Sequence, residues 1–298
     1  RGFEKAGFDV IWANEYDKSI WETFEKNHCK TYLDKRSITN IPSNEIPECD
    51  GIIGGPPCQS WSAAGAKRGI NDSRGKLFFD FIRVIEDKNP KFFLAENVAG
   101  MLTEKNSYAL KNIKELFENA GSGYKLSFKL LNAKNYNVPQ DRKRVFFIGY
   151  RKDLNKKFTF PKESKKLTSL RDAIYDLRKT AIEANDKYRS NKESCAIPNH
   201  EYLNIDYSPI YMSRNRVRNW DEQSFTIQAG GRHAPIHPQA PKMILIDKDK
   251  RIFNPSYIEL YRRLSVRECA RIQTFPDSYS FYYENILNGY KMIGNAVP

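Results

Sequence analysis

Gly51-Ile52-Ile53-Gly54-Gly55-Pro56-Pro57-Cys58-Gln59-Ser60-Trp61-Ser62 is the stretch from which the organisation of the chain unfolds. It opens with a short apolar run centred on two β-branched residues and stops at Gly-Gly-Pro-Pro, the pattern of a strand entering a sharp turn. The paired prolines stiffen the backbone and remove two amide donors. A cysteine directly after them, at a strand end, is presented outward, where its thiolate can act as a nucleophile. By itself the pattern fits a buried structural cysteine equally well.

Outward from this strand, short β-rich runs alternate with helical stretches. Val10–Ala13 reads as a strand and Asp17–Asn27 as a helix with Ile20, Trp21 and Phe24 on one face. Lys76–Asp87 reads as a helix striped by Leu77, Phe78, Phe81, Ile82 and Ile85, Lys91–Ala95 as a strand, and Tyr108–Asn119 as a helix. Strands near Leu126–Leu131 and Val145–Tyr150 close the region. Such alternation predicts an α/β fold, a doubly wound and mostly parallel sheet whose ligands bind beyond the strands' carboxyl ends. Glu15, Pro57–Cys58 and Glu96 are each expected just past such an end. Beyond Arg151 the pattern becomes Lys-rich, then irregular with Tyr, Arg, Gly, Pro and His, until a helix near Ser265–Ile272 returns with Ser265 as cap and Glu268 three residues on.

The 298 residues carry 49 lysines and arginines against 36 acidic residues, a formal charge of +13. The excess lies mainly in the second half: 26 basic against 17 acidic residues in 151–298, compared with 23 against 19 in 1–150. A polyanionic partner accounts for such a bias, as does ordinary solubility charge. The five cysteines are odd in number and show no C-x-x-C spacing, so neither a disulfide framework nor a metal site is expected. No apolar run approaches the roughly 18–20 residues of a membrane span, and no secretory signal is read at the start. A soluble, cytoplasmic protein is expected.

Two further stretches carry chemistry. Glu96-Asn97-Val98 follows an apolar strand, where a carboxyl in apolar surroundings can serve as an acid; a capping or salt-bridged glutamate is the plainer alternative. Gln140-Asp141-Arg142-Lys143-Arg144 precedes another strand, and alternation lets Arg142 and Arg144 point to one side, suiting phosphate or a carbonyl oxygen. A solvated basic turn is the default for that stretch alone.

Together Pro57-Cys58-Gln59, Glu96-Asn97-Val98 and Gln140-x-Arg142-x-Arg144 resemble the bacterial DNA cytosine-C5 methyltransferase family in order and spacing. Asn14-Glu15-Tyr16, Arg74-Gly75-Lys76-Leu77-Phe78, Arg263-Leu264-Ser265-Val266-Arg267-Glu268 and Gly294-Asn295-Ala296-Val297 extend the resemblance over nearly the whole chain. It implies the S-adenosylmethionine-dependent methyltransferase fold with a smaller irregular target-recognition domain. The catalytic domain would span 1–151 and 262–298, and the recognition domain 152–261. It implies S-adenosylmethionine as cofactor and double-stranded DNA as partner. Cys58 would add to cytosine C6, Glu96 would hold N3 and the exocyclic amine, and Arg144 would contact O2, with Arg142 supporting that pocket. Glu15, Tyr16, Ser37, Ile38, Pro57, Leu77, Asn295 and Val297 would hold the cofactor. Gln59–Gly75, with Gln59, Ser60, Lys67 and Arg68 toward DNA, reads as a lid over an extruded base.

Where the family usually has an aspartate before Ile38, this chain has Ser37. The family's opening glycine loop and C-terminal helix are absent, so a piece of a longer protein is expected. The run from Met212 to Pro241 is similar to HaeIII-type members, which methylate GGCC. Arg214, Arg216, Arg218 and Arg232 are its expected DNA contacts, and arginine is the commonest reader of guanine. A monomer is expected, tied to a restriction endonuclease in function and not by contact. The alternatives are a transfer-RNA cytosine methyltransferase, a catalytically impaired DNA-binding fragment, and a cysteine hydrolase lacking a convincing histidine.

Overall fold

The computed structural model describes residues 1–57 and 73–298, the side chains of residues 73–75 and 105 aside. Its helices and strands run, in order, α1 (Gly2–Lys5), β1 (Trp12–Asn14), α2 (Lys18–Asn27), β2 (Tyr32–Asp34), β3 (Gly51–Gly54), α3 (Ser73–Lys88), β4 (Phe92–Val98), α4 (Ser107–Asn119), β5 (Tyr124–Asn132), β6 (Lys143–Arg151), α5 (Leu170–Ile174), β7 (Ile182–Glu183), β8 (Glu201–Tyr202), α6 (Pro209–Met212), β9 (Ile244–Asp247), β10 (Lys250–Ile252), α7 (Val266–Ile272) and α8 (Ile286–Asn295). They pack as two compact units, one of Arg1–Tyr16, Lys30–Leu131 and Lys143–Lys162, the other of Asp17–Cys29, Asn132–Arg142 and Glu163–Pro298.

In the first unit β1 and β2 pair in parallel, and a four-stranded sheet runs β3-β4-β6-β5. β3 and β4 are parallel, whereas β4 and β6 are antiparallel from Phe92↔Tyr150 to Val98↔Arg144. The sheet is therefore mixed, with β6 running against β4. Between β5 and β6 there is only a short turned connection around Ala133–Tyr136, too short for the crossover that parallel strands need. Glycines make room for the rings of β4: a Cβ on Gly51 would meet Phe92 at 2.1 Å, and one on Gly149 would meet Phe93 at 2.2 Å. Phe78, Ile82 and Ile85 of α3 join Ile113, Phe117, Phe93, Ala95, Val145 and Phe147 in one buried cluster. Val84 of α3 goes instead to a smaller cluster with Ile41 and Ile46.

The second unit is built around α7 and α8. Leu170, Ile174, Leu177, Leu203 and Ile227 pack with Leu264, Val266, Cys269, Ile272, Tyr290 and Ile293. α7 and α8 bury their apolar faces among residues of 163–261. α7 carries the capping box that Ser265 and Glu268 announce. Glu268 is also a buried counter-charge: Arg262 grips it through bonds of 2.7 and 2.8 Å, and His237 Nε2 lies 3.3 Å away. Burial alone would raise the Glu268 carboxyl, but Arg262 and His237 hold it well below the usual range. No helix among the described residues is long and apolar enough to cross a membrane.

Candidate active site

The β3–β4 register sets Gly54 against Ala95, which brings the residue after each strand position together: a Cβ on Gly55 would lie 3.3 Å from Glu96 Oε2. Glu96 is inside β4, not past its end, because the strand continues through Val98 against β6. In that register Val98 faces Arg144, two residues from Glu96 and so on the same side. The guanidinium of Arg144 reaches back, Nε to Glu96 Oε1 at 2.8 Å, both side chains less than a fifth exposed (18% and 17%). Glu96 thus has a cation against it, and the expected apolar surroundings are corrected. Asn97 donates from Nδ2 to Pro56 O at 2.8 Å, tying the Pro-Pro turn to β4. Asn97 was visible in sequence as part of a motif, but nothing there showed that its amide fixes the turn leading to Cys58. Cys58, Gln59, Ser60, Lys67 and Arg68 lie outside the described residues.

Three strand ends of the first unit carry the expected nucleoside-binding side chains. Half-buried Glu15 and exposed Tyr16 follow β1. Half-buried Ser37 and Ile38 follow β2, and Pro57 follows β3. Asn14 fastens the first two ends together, donating to Asp34 O at 3.0 Å and Arg36 O at 2.7 Å. Arg83 of α3 donates to Ile38 O at 3.0 Å, and Leu77, half-buried, lies on the same helix. Ser37 Oγ is 2.8 Å from Thr39 Oγ1. Arg83 was not singled out from the sequence, and Asn14 only as part of a motif, since their partners are backbone oxygens that no spacing announces. A carboxylate for ribose hydroxyls, a hydroxyl, and flanking apolar and aromatic groups form a donor set that fits an adenosine.

The second unit holds Arg142, which was expected to support the pocket that Arg144 enters. It is buried, with Nη1 on Ile227 O at 3.0 Å and Nη2 on Gly294 O at 3.1 Å. Gln140 is likewise buried, accepting from Ile227 N at 3.0 Å and donating to Gln273 Oε1 at 3.0 Å. Gly294 has to be glycine at this crossing, since a Cβ would lie 2.2 Å from the backbone carbon of Gln228. Asn295 and Val297 follow it and are exposed.

The four expected DNA-contact arginines share this unit, and three of them rest on aromatic rings. Arg214 is exposed. Arg216 stacks 4.7 Å from the Tyr211 ring and donates to Tyr211 O and Ile210 O. Arg218 lies 4.2 Å over Phe225 and pairs with Glu222 at 3.1 Å. Arg232 donates to Tyr188 Oη at 2.5 Å. A cleft of about 210 Å³ is lined by Arg216, Phe225, Thr226, Gln228, His233 and Pro235. His233 was missed, because a lone histidine in a loop carries no spacing signal.

Comparison with known proteins fits this geometry. The chain is 57% identical to the Type II methyltransferase M.FnuDI of Fusobacterium nucleatum, over 100% of this chain and 86% of that protein. It is 55% identical to the Type II methyltransferase M.MthTI of Methanothermobacter thermautotrophicus, over 100% of this chain and 89% of the relative. A crystal structure of a Spodoptera frugiperda DNMT2 mutant matches with a TM-score of 0.68 at 17% identity, covering 99% of this chain and 91% of that one, and so shares the fold. The family described as C-5 cytosine-specific DNA methylase matches residues 1–298. The chain belongs to the C-5 cytosine-specific DNA methylases, enzymes whose substrate is DNA.

Proposed function

We propose that this protein is a Type II DNA cytosine-C5 methyltransferase of a restriction–modification system that methylates a flipped cytosine within GGCC. The observation that carries the reading is the Glu96–Arg144 pair beside the turn that leads to Cys58. A carboxyl and a guanidinium in contact match the edge of a cytosine, where N3 and the exocyclic amine sit beside O2.

Cytosine C5 is a poor nucleophile because the ring is aromatic and electron-poor. In this reading the Cys58 thiolate adds to C6, and electron density moves onto C5. Glu96 hydrogen-bonds N3 and the amine and stabilises the charge that develops there, while Arg144 holds O2. S-adenosylmethionine, when bound, supplies the methyl group that C5 takes. Loss of the C5 proton and expulsion of the Cys58 thiolate then restore the aromatic ring. None of these atoms is reachable inside a stacked duplex, so the base is extruded.

Glu15 would accept from the ribose hydroxyls, with Tyr16, Ser37, Ile38, Pro57 and Leu77 about the adenosine and Asn295 and Val297 at the methionine part. Gln59, Ser60, Lys67 and Arg68 would follow the DNA backbone. Residues 152–261 would read sequence through Arg214, Arg216, Arg218 and Arg232, and 1–151 with 262–298 would carry catalysis. The enzyme would act as a monomer at the chromosome in the cytoplasm, linked to its endonuclease in function only.

The test is a duplex bearing 5-fluorocytosine at the inner position of GGCC, incubated with S-adenosylmethionine. The wild-type protein is expected to form a denaturant-resistant adduct, and Cys58→Ser none. An adduct of equal yield in the variant would refute the nucleophile, and methylation of a different site would refute GGCC.

A further inference from the structure

We propose that Tyr188 is a positioning residue for sequence recognition, aiming the Arg232 guanidinium at a base edge; the proposal rests on reading Arg232 as a base contact. Arg232 sits on a tight turn, Gly231–His233, whose backbone is pinned in the core: a Cβ on Gly231 would lie 2.6 Å from the Tyr290 ring. Its side chain is exposed. Left to itself, such an arginine samples many rotamers and would lose that freedom on binding. Here Nη2 donates to Tyr188 Oη at 2.5 Å, and the guanidinium carbon lies 5.7 Å from the centre of the same ring. Among the described residues the rest of the guanidinium fork has no other side-chain partner, which leaves N–H groups for the paired acceptors of a guanine.

The Tyr188 ring can hold an arginine because it is itself held. It packs against the buried cluster of the second unit. The backbone that delivers it is unusual, since Lys187 and Tyr188 both adopt left-handed conformations, at φ of 56° and 63°. Two adjacent non-glycine residues in that region persist only where the surroundings over-determine them. Here the turn is closed by Asn185 N on Arg189 O at 2.9 Å and Asn185 Nδ2 on Ser190 O at 2.9 Å, and is anchored by Ser190 N on Glu284 O at 2.7 Å. The strained turn places one aromatic hydroxyl against one exposed arginine, and the only side-chain bond of that hydroxyl among the described residues is to Arg232.

The experiment measures kcat/KM for methyl transfer to duplexes carrying the methylated site and each single-base variant of it, using wild type, Tyr188→Phe, Arg232→Ala and the double variant. Tyr188→Phe keeps the packed ring and removes only the hydroxyl. The expected result is a loss of discrimination of about tenfold at one base pair, within the range a paired arginine contact supplies. The same base pair should be affected in Arg232→Ala, and the double variant should be no worse than Arg232→Ala alone. A Tyr188→Phe effect that scales all duplexes equally, or that adds to Arg232→Ala, overturns the proposal while leaving Arg232 as a reader. Unchanged discrimination in Arg232→Ala would remove the base contact itself, and the role of Tyr188 with it.

Discussion

At the scale of single residues, the Glu96–Arg144 contact ranks above the other charged pairs of the first unit. Pairs such as Lys91–Asp50 and Lys88–Glu48 each leave at least one partner well exposed, where water screens them. Glu96 and Arg144 are both largely shielded, and they come together because β4 and β6 set Val98 opposite Arg144. Replacing Glu96 by glutamine keeps the volume but removes the acidic group that would meet N3. With the proposed mechanism, kcat should fall by about 10²- to 10³-fold, the usual cost of one oriented transition-state hydrogen bond. S-adenosylmethionine affinity, measured by calorimetry, should stay within about twofold of wild type. An unaltered kcat would remove Glu96 from the chemistry.

At the scale of elements, position along the chain was legible, and so was the parallel pairing of β1 with β2 and of β3 with β4, while the reversal of β6 was not. The Ile52–Ile53 run lies in β3 with the expected bounds, and α4 and α7 begin within a residue of their expected starts, because apolar periodicity and caps are local signals. β6 runs against β4, and the chain enters it from β5 through a connection too short for a helical crossover, which a pattern of apolar runs does not weigh. Arg142 and Arg144 look equivalent by alternation, yet one is spent on Ile227 O and Gly294 O and the other on Glu96, since tertiary partners lie far off in sequence. Ser265 shows the same limit. The Ser-x-x-Glu spacing reveals the cap, but not that Ser265 Oγ also meets buried His200 Nδ1 at 2.8 Å. His200 Nε2 faces Leu177 O at 2.9 Å and so carries the proton, which leaves Nδ1 to accept from the serine. Ser265→Ala should therefore cost more than a cap alone: about 1 kcal/mol for the cap and about 1–3 kcal/mol for the acceptor left unpaired. Urea unfolding checks this, and a loss of under about 1 kcal/mol would show that His200 finds another donor.

At the scale of the whole molecule, a charge of +13 favours DNA but loads the folded state with repulsion that grows as pH falls. Two buried histidines set where acid first weakens the fold. Burial lowers His200 and His237 below the ordinary imidazole value, and the cations Arg262 and Arg271 about His200, and Arg262 about His237, push the same way against the pull of Glu268. Both rings are fully buried, and His237 keeps its place through Glu268 and through Gln239 N at 3.3 Å. In the unfolded chain each takes up a proton near pH 6.5, while in the folded protein each stays neutral to lower pH. The unfolded state thus binds more protons below that point, so the stability these groups contribute is present above about pH 6.5 and is lost as pH falls toward their folded values. The melting temperature should drop on acidification from about pH 7.5 to 5.5 at constant salt. His237→Gln, although less stable at neutral pH, should show a shallower drop over the same window, because one of the two proton-linked groups is gone. Parallel curves for wild type and variant would assign the acid sensitivity to general charge repulsion and not to the buried imidazole.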